Sequence, residues 1–169
     1  CPSSGSLPRL SNMAKVCIIE LGMQTCRVGL LGDSAPCVFP VVVGRTKLAR
    51  DPMGTKPMYV GVEAEEKRGL LLMRYPLEHL AESDWDEEQT RHIKTQSGSY
   101  TVWDDLDAVF EHAISSLGFT PGEQRVLLVM PDCIPENVSD EIVGSMLGAC
   151  EPPSMDVLTL PTDGFGANA

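Results

Sequence analysis

"VCIIELGMQTCRVGLLGD" runs from Val16 to Asp33. Val16–Glu20 and Thr25–Leu31 are apolar or alternating stretches with β-branched residues, bounded by Gly22 and by "GDSAP" (Gly32–Pro36). Two short runs of that kind around a glycine predict a β-hairpin. Its turn carries Gly22, Met23 and Gln24, an apolar thioether and an amide at a bend where small polar residues are usual.

Outward from this hairpin, "CVFPVVVGR" (Cys37–Arg45) predicts one further strand ending at Gly44. The Pro and Gly content of "TKLARDPMGTKP" (Thr46–Pro57) predicts a loop. A short strand follows at Met58–Val60, then a Glu- and Lys-rich helical turn and "LLLMRYP". From Ala81 to Tyr100 periodicity disappears, and acidic residues between Glu82 and Asp107 far outnumber Arg91 and Lys94, which predicts a solvated loop.

The strongest helix signal comes next. Thr101 and Asp104 have capping-box spacing, and Asp104 and Asp105 stand where the helix dipole favours negative charge. Leu106, Val109, Phe110, Ala113, Ile114 and Leu117 recur with the helical period, and Gly118 ends it. "RVLLVM" (Arg125–Met130) predicts a buried strand, Pro135 opens a second helix through about Leu147, and "MDVLTL" (Met155–Leu160) predicts a last strand. A hairpin and strands followed by helix, strand, helix and strand is an α/β arrangement.

At 169 residues the chain is long enough for one domain with a substantial core. A net charge of −11 argues against direct nucleic-acid contact, which needs a basic face. No apolar run is long enough for a membrane span, so no membrane partner is expected. The six cysteines lack metal-ligand spacing and predict buried, reduced thiols. Residues 1–12 read as a flexible extension ahead of Met13.

In order, "GDSAPCVFPVVVGR", "YVGVEAEEKRGLLLMRYPLEHL" (Tyr59–Leu80), "VWDDLDAVFEHA" (Val102–Ala113) and "RVLLVMPDCIPENVSDEI" (Arg125–Ile142) resemble segments of actin and the actin-related proteins. The resemblance implies the RNase H-like α/β fold of the actin-like ATPase domain. It further implies that 13–169 corresponds to the N-terminal half of that fold. A small inserted subdomain is expected at about 46–74, and an insertion atypical of the family at about 81–101.

The resemblance also sets an expectation for the hairpin turn. Actins read Asp-Asn-Gly-Ser-Gly-x-x-Lys there, and the turn holds the phosphates of Mg-ATP. The matching residues are Glu20, Leu21, Gly22, Met23, Gln24 and, at the lysine position, Arg27. Glu20 is one methylene longer than the family's metal-directed Asp, and magnesium tolerates little change in geometry. Met23 has no hydroxyl to donate, and Gln24 places a side chain where backbone must approach closely. Near Leu160 the family has a Gln that orients the attacking water; leucine cannot do so.

The expectation is therefore a non-catalytic, actin-related structural subunit of a cytoskeletal or motor-associated assembly. It has a degenerate nucleotide site (Glu20, Gly22, Met23, Gln24, Arg27), no cofactor, no catalytic residue and no metal ligand. Other actin-like or scaffold subunits are the expected partners, in the cytoplasm and cytoskeleton. Two alternatives stand beside it. One is an Mg-ATP- or Mg-ADP-binding actin-like ATPase whose second half lies outside this sequence. The other is a nuclear subunit of a chromatin-remodelling complex. His79, in "YPLEH", matches the histidine that actins methylate. In the loop by which actin subunits grip one another, "ARDPMGTKP" (Ala49–Pro57) offers only Met53 as an apolar anchor, so self-polymerisation is not expected. Met53, Trp85, Asp86, Glu87 and Glu88 are candidate partner contacts.

Overall fold

The computed structural model describes residues 16–46, 56–81, 93–95, 98–118 and 122–161. The hairpin forms as predicted, from strands β1 (Val16–Leu21) and β2 (Thr25–Leu30). They pair antiparallel with Glu20 opposite Arg27 and Ile19 opposite Val28. β3 (Cys37–Pro40) adds antiparallel to β2. The strands β9 (Arg125–Pro131) and β10 (Met155–Leu160) run parallel to β1 and to each other. The result is a mixed five-stranded sheet in the order β10-β9-β1-β2-β3. Parallel neighbours need a crossover; the link between β9 and β10 is the helix Glu136–Cys150.

One predicted strand is in fact two. Cys37–Arg45 was expected to be continuous, but β3 stops at Pro40 and β4 (Val43–Thr46) belongs to a different sheet. Pro40 has no N–H to continue the ladder. Beyond it Val41 N donates to Gln24 O at 2.8 Å and Val42 N donates back to Pro40 O at 2.9 Å, a tight bend that redirects the chain. β4 is the centre of a three-stranded antiparallel sheet, flanked by β5 (Met58–Val60) and β6 (Leu71–Arg74). The short helix α1 (Val62–Glu66) lies between β5 and β6 in sequence, and α2 (Pro76–Ala81) follows them.

The predicted acidic loop also contains structure. β7 (Ile93–Thr95) and β8 (Gly98–Tyr100) form a two-stranded ribbon. Such short strands pair through backbone groups, and their side-chain pattern carries no apolar period for sequence reading to find. Met53, Trp85, Asp86, Glu87 and Glu88 lie outside the described residues.

The helix α3 (Val102–Ser116) starts as its sequence requires. Asp104 N donates to Thr101 Oγ1 at 3.1 Å, and Thr101 N donates to Asp104 Oδ2 at 2.6 Å, a complete capping box. Gly118, at φ +60°, takes the left-handed conformation that ends a helix cheaply only at glycine. The helix α4 (Glu136–Cys150) runs one turn past the predicted end. The hydroxyl of Ser145 on α4 donates to Asp107 on α3.

Both long helices pack on one side of the large sheet. Cys17, Ile19 and Leu21 of β1, Val28 of β2, and Leu128 and Met130 of β9 join one core cluster with Phe110 and Ala113 of α3 and Ile142 and Met146 of α4. Fully burying each large side chain of that set contributes roughly 1.5–3 kcal/mol. A four-residue cluster of Val42, Tyr59, Ala64 and Leu71 holds the small sheet to α1. Among the described residues no helix is long and apolar enough to cross a membrane.

Candidate functional site

The hairpin turn is built by backbone constraints. Gly22 N donates to Thr25 O at 3.0 Å, and a Cβ at Gly22 would sit 2.9 Å from that same oxygen. Only glycine fits without a shift of the backbone. Gln24 is held at its carbonyl by Val41 N, and its side-chain amide reaches Glu78 Oε1 at a long 3.4 Å. Met23 is half-buried and packs against the main core. Hydrophobic burial thus turns its thioether toward the protein interior.

Glu20 and Arg27 face each other across the hairpin, and Arg27 Nη1 lies 2.6 Å from Glu20 Oε1. The side chains are 26% and 45% exposed respectively. A partly exposed pair of this kind contributes at most about 1 kcal/mol, yet it fixes where both charges point. The pair borders a cavity of about 230 Å³, lined also by Ile18, Gly29, Leu30 and Asp33. That volume is below the range of roughly 300–1,000 Å³ typical of small-molecule sites. It also lies on the side of the sheet away from the helices, since Ile18, Glu20, Arg27 and Gly29 alternate with the core residues.

These residues do not fit the phosphate cradle that the family pattern would require. The acidic group is occupied by Arg27, the cation by Glu20, and the Gly22 amide by Thr25. Below the turn, burial pushes the Cys26 thiol up to about 12, with the neighbouring Cys37, Glu20 and Cys17 adding to the rise. It stays a neutral, inert thiol.

The carboxyl end of the parallel strands is where α/β sheets ordinarily bind ligands. Glu20 and Leu158 lie level with each other on either side of Val129, so Met23 and Leu160 occupy the same end of the sheet. Asp132 N donates to Leu160 O at 3.0 Å and closes that end of the β9–β10 pair. Pro161 follows and has no N–H. His79 is in α2, on the segment directly after the small sheet. Among the described residues, no group of three His, Cys, Asp or Glu side chains is arranged to hold a metal ion.

Sequence reading missed a second polar constellation, and it is the more buried of the two. Asp105 of α3 is fully buried and faces Arg45 of β4 and Arg74 of β6, each 5% exposed. Arg45 Nε and Nη2 lie 2.8 and 2.7 Å from Asp105 Oδ1. Arg74 Nη1 approaches Oδ2 to 2.9 Å. Its geometry is poor for a hydrogen bond, and among the described residues Arg74 Nε, Arg74 Nη1 and Asp105 Oδ2 have no hydrogen-bond partner. The Arg74 contact is therefore Coulombic, whereas the Arg45 contact is both Coulombic and hydrogen-bonded. The Arg45 guanidinium also stacks 3.7 Å above the Tyr100 ring.

Burial raises the pKa of Asp105 against the pull of Arg74 and Arg45, and burial lowers that of Arg74 against the pull of Asp105. Guanidinium groups keep their protons in proteins, so two positive charges flank one carboxylate. A signal for this cluster was present in the sequence. Asp105 lies three residues after Val102 and four before Val109, inside the apolar stripe of α3 rather than on its wet face. No protein-family model matches the chain.

Proposed function

We propose that this chain is the N-terminal half of an actin-related protein acting as a non-catalytic structural subunit of a larger cytoskeletal or motor-associated assembly. The observation that carries the non-catalytic part is the closed turn. Glu20 and Arg27 neutralise each other at 2.6 Å, and Met23 beside them packs inward. A triphosphate would need donors facing it at the turn; Met23 supplies none and is packed inward, and separating the Glu20–Arg27 pair adds only a small further cost.

The fold supports the actin-related part. An antiparallel three-strand meander continues into two helix-linked parallel strands, and a separate small sheet interrupts the chain between β3 and α3. The resemblance calls for such an inserted subdomain at about 46–74, and the small sheet spans Val43–Arg74. With its turn closed and its surface strongly acidic, the chain is suited to docking among other subunits rather than to turnover.

Native size fractionation of the endogenous protein, followed by cell fractionation, tests this reading. The expected result is co-migration with an assembly many times its own mass in the cytoskeletal fraction. Migration as a free species that hydrolyses ATP contradicts it. Recovery with chromatin selects the nuclear alternative.

A further inference from the structure

The small sheet has two different faces. Gly44, Tyr59, Leu71 and Met73 point toward α1, where Tyr59 and Leu71 form the minor cluster with Ala64. Val43, Met58 and Val60 share the other face with Arg45 and Arg74, and those three apolar side chains pack against the main core. On this second face the contact with α3 includes an ionic cluster. Both arginines converge on the single carboxylate of Asp105.

We propose that Asp105 is a latch: its two arginine contacts hold the small sheet against α3, and breaking them releases that sheet as a unit while the large sheet stays folded. The small sheet meets the main core through Val43, Met58 and Val60, whereas the large sheet joins both helices through buried residues of β1, β2 and β9. Loss of the carboxylate leaves two buried cations facing each other in a low-dielectric site. They regain water by swinging outward with the strands that carry them. Among the described residues the strands of the large sheet bury no charged side chain, and their cluster extends over β1, β2, β9, α3 and α4. Stability in such a molecule is distributed unevenly, and the less densely packed element opens first.

The arrangement of the hydrogen bonds sharpens the proposal. Arg45 carries the directed contacts on Oδ1 and the stack on Tyr100, while Arg74 contributes charge alone. Arg45 is therefore the stronger jaw of the latch.

Hydrogen exchange read by mass spectrometry on the full chain tests this, comparing wild type with Asp105→Asn, Arg45→Met and the exposed control Glu111→Gln. In exchange periods too short for global unfolding to label the core, peptides covering β4, β5 and β6 should exchange at least roughly tenfold faster in Asp105→Asn, and faster also in Arg45→Met, with β1 and β9 still protected. Glu111→Gln should match wild type. Equal acceleration in both sheets, or none in the small one, overturns the latch. If Asp105→Asn yields no folded chain, Arg45→Met decides by those same outcomes.

Discussion

Two of the ionic clusters in this molecule join a carboxylate to arginine across different elements, and burial makes them different objects. Glu20 and Arg27 pair on the outside of the hairpin, where water screens them and either can leave at small cost. Asp105 pairs with Arg45 and Arg74 in the interior, where neither side can lose its partner without stranding charge. The shorter distance belongs to the weaker cluster: 2.6 Å at the surface against 2.7 to 2.9 Å inside. Separation alone does not rank electrostatic contacts; the surrounding medium does.

The largest effect expected comes from breaking the interior cluster. Asp105→Asn should lower unfolding free energy by about 3–5 kcal/mol, read as a fall in denaturant midpoint. An effect below that of a surface pair would erase the distinction between the clusters. At the hairpin the vulnerable element is the backbone rather than the charge. Gly22→Ala drives a methyl against Thr25 O and should cost about 1–3 kcal/mol by the same measurement.

A smaller effect concerns a further contact of α3. His112 of α3 meets the Phe39 ring edge-on, with centroids 4.7 Å apart, and lies near Gly61. Burial lowers its pKa below the ordinary value of 6.5, with Glu63 opposing the shift. The folded state therefore binds this proton less readily than the unfolded chain. Its contribution to stability is complete above 6.5 and is lost as pH falls through the folded pKa. His112→Gln should lose less stability than wild type between about pH 7 and about pH 5, in parallel chemical denaturation series. Identical pH profiles would remove His112 from the account. Smallest of all, Glu20→Gln should change stability by less than about 1 kcal/mol.

The contrast between the clusters is also a contrast in legibility. The hairpin, α3 with both its ends, β9 and β10 follow from patterns that span only neighbouring residues: alternation, the helical period, Thr101 with Asp104, and Gly118. The break at Pro40 did not, because "CVFPVVV" (Cys37–Val43) is apolar throughout and only its hydrogen-bond partners separate β3 from β4. Asp105 was read as part of an acidic, solvated stretch and as a dipole partner of the helix start. Its meaning lies in Arg45 and Arg74, which no local pattern connects to it. At the turn, the composition of Glu20, Met23 and Arg27 was legible, but the closure of Glu20 on Arg27 required the register of the hairpin.

The hairpin turn carries the functional claim, and calorimetric titration of the purified chain with Mg-ATP addresses it most directly. With Met23 packed inward and no hydroxyl donor in its place, no saturable heat is expected at millimolar nucleotide. Saturable, magnesium-dependent binding in the micromolar range would contradict it.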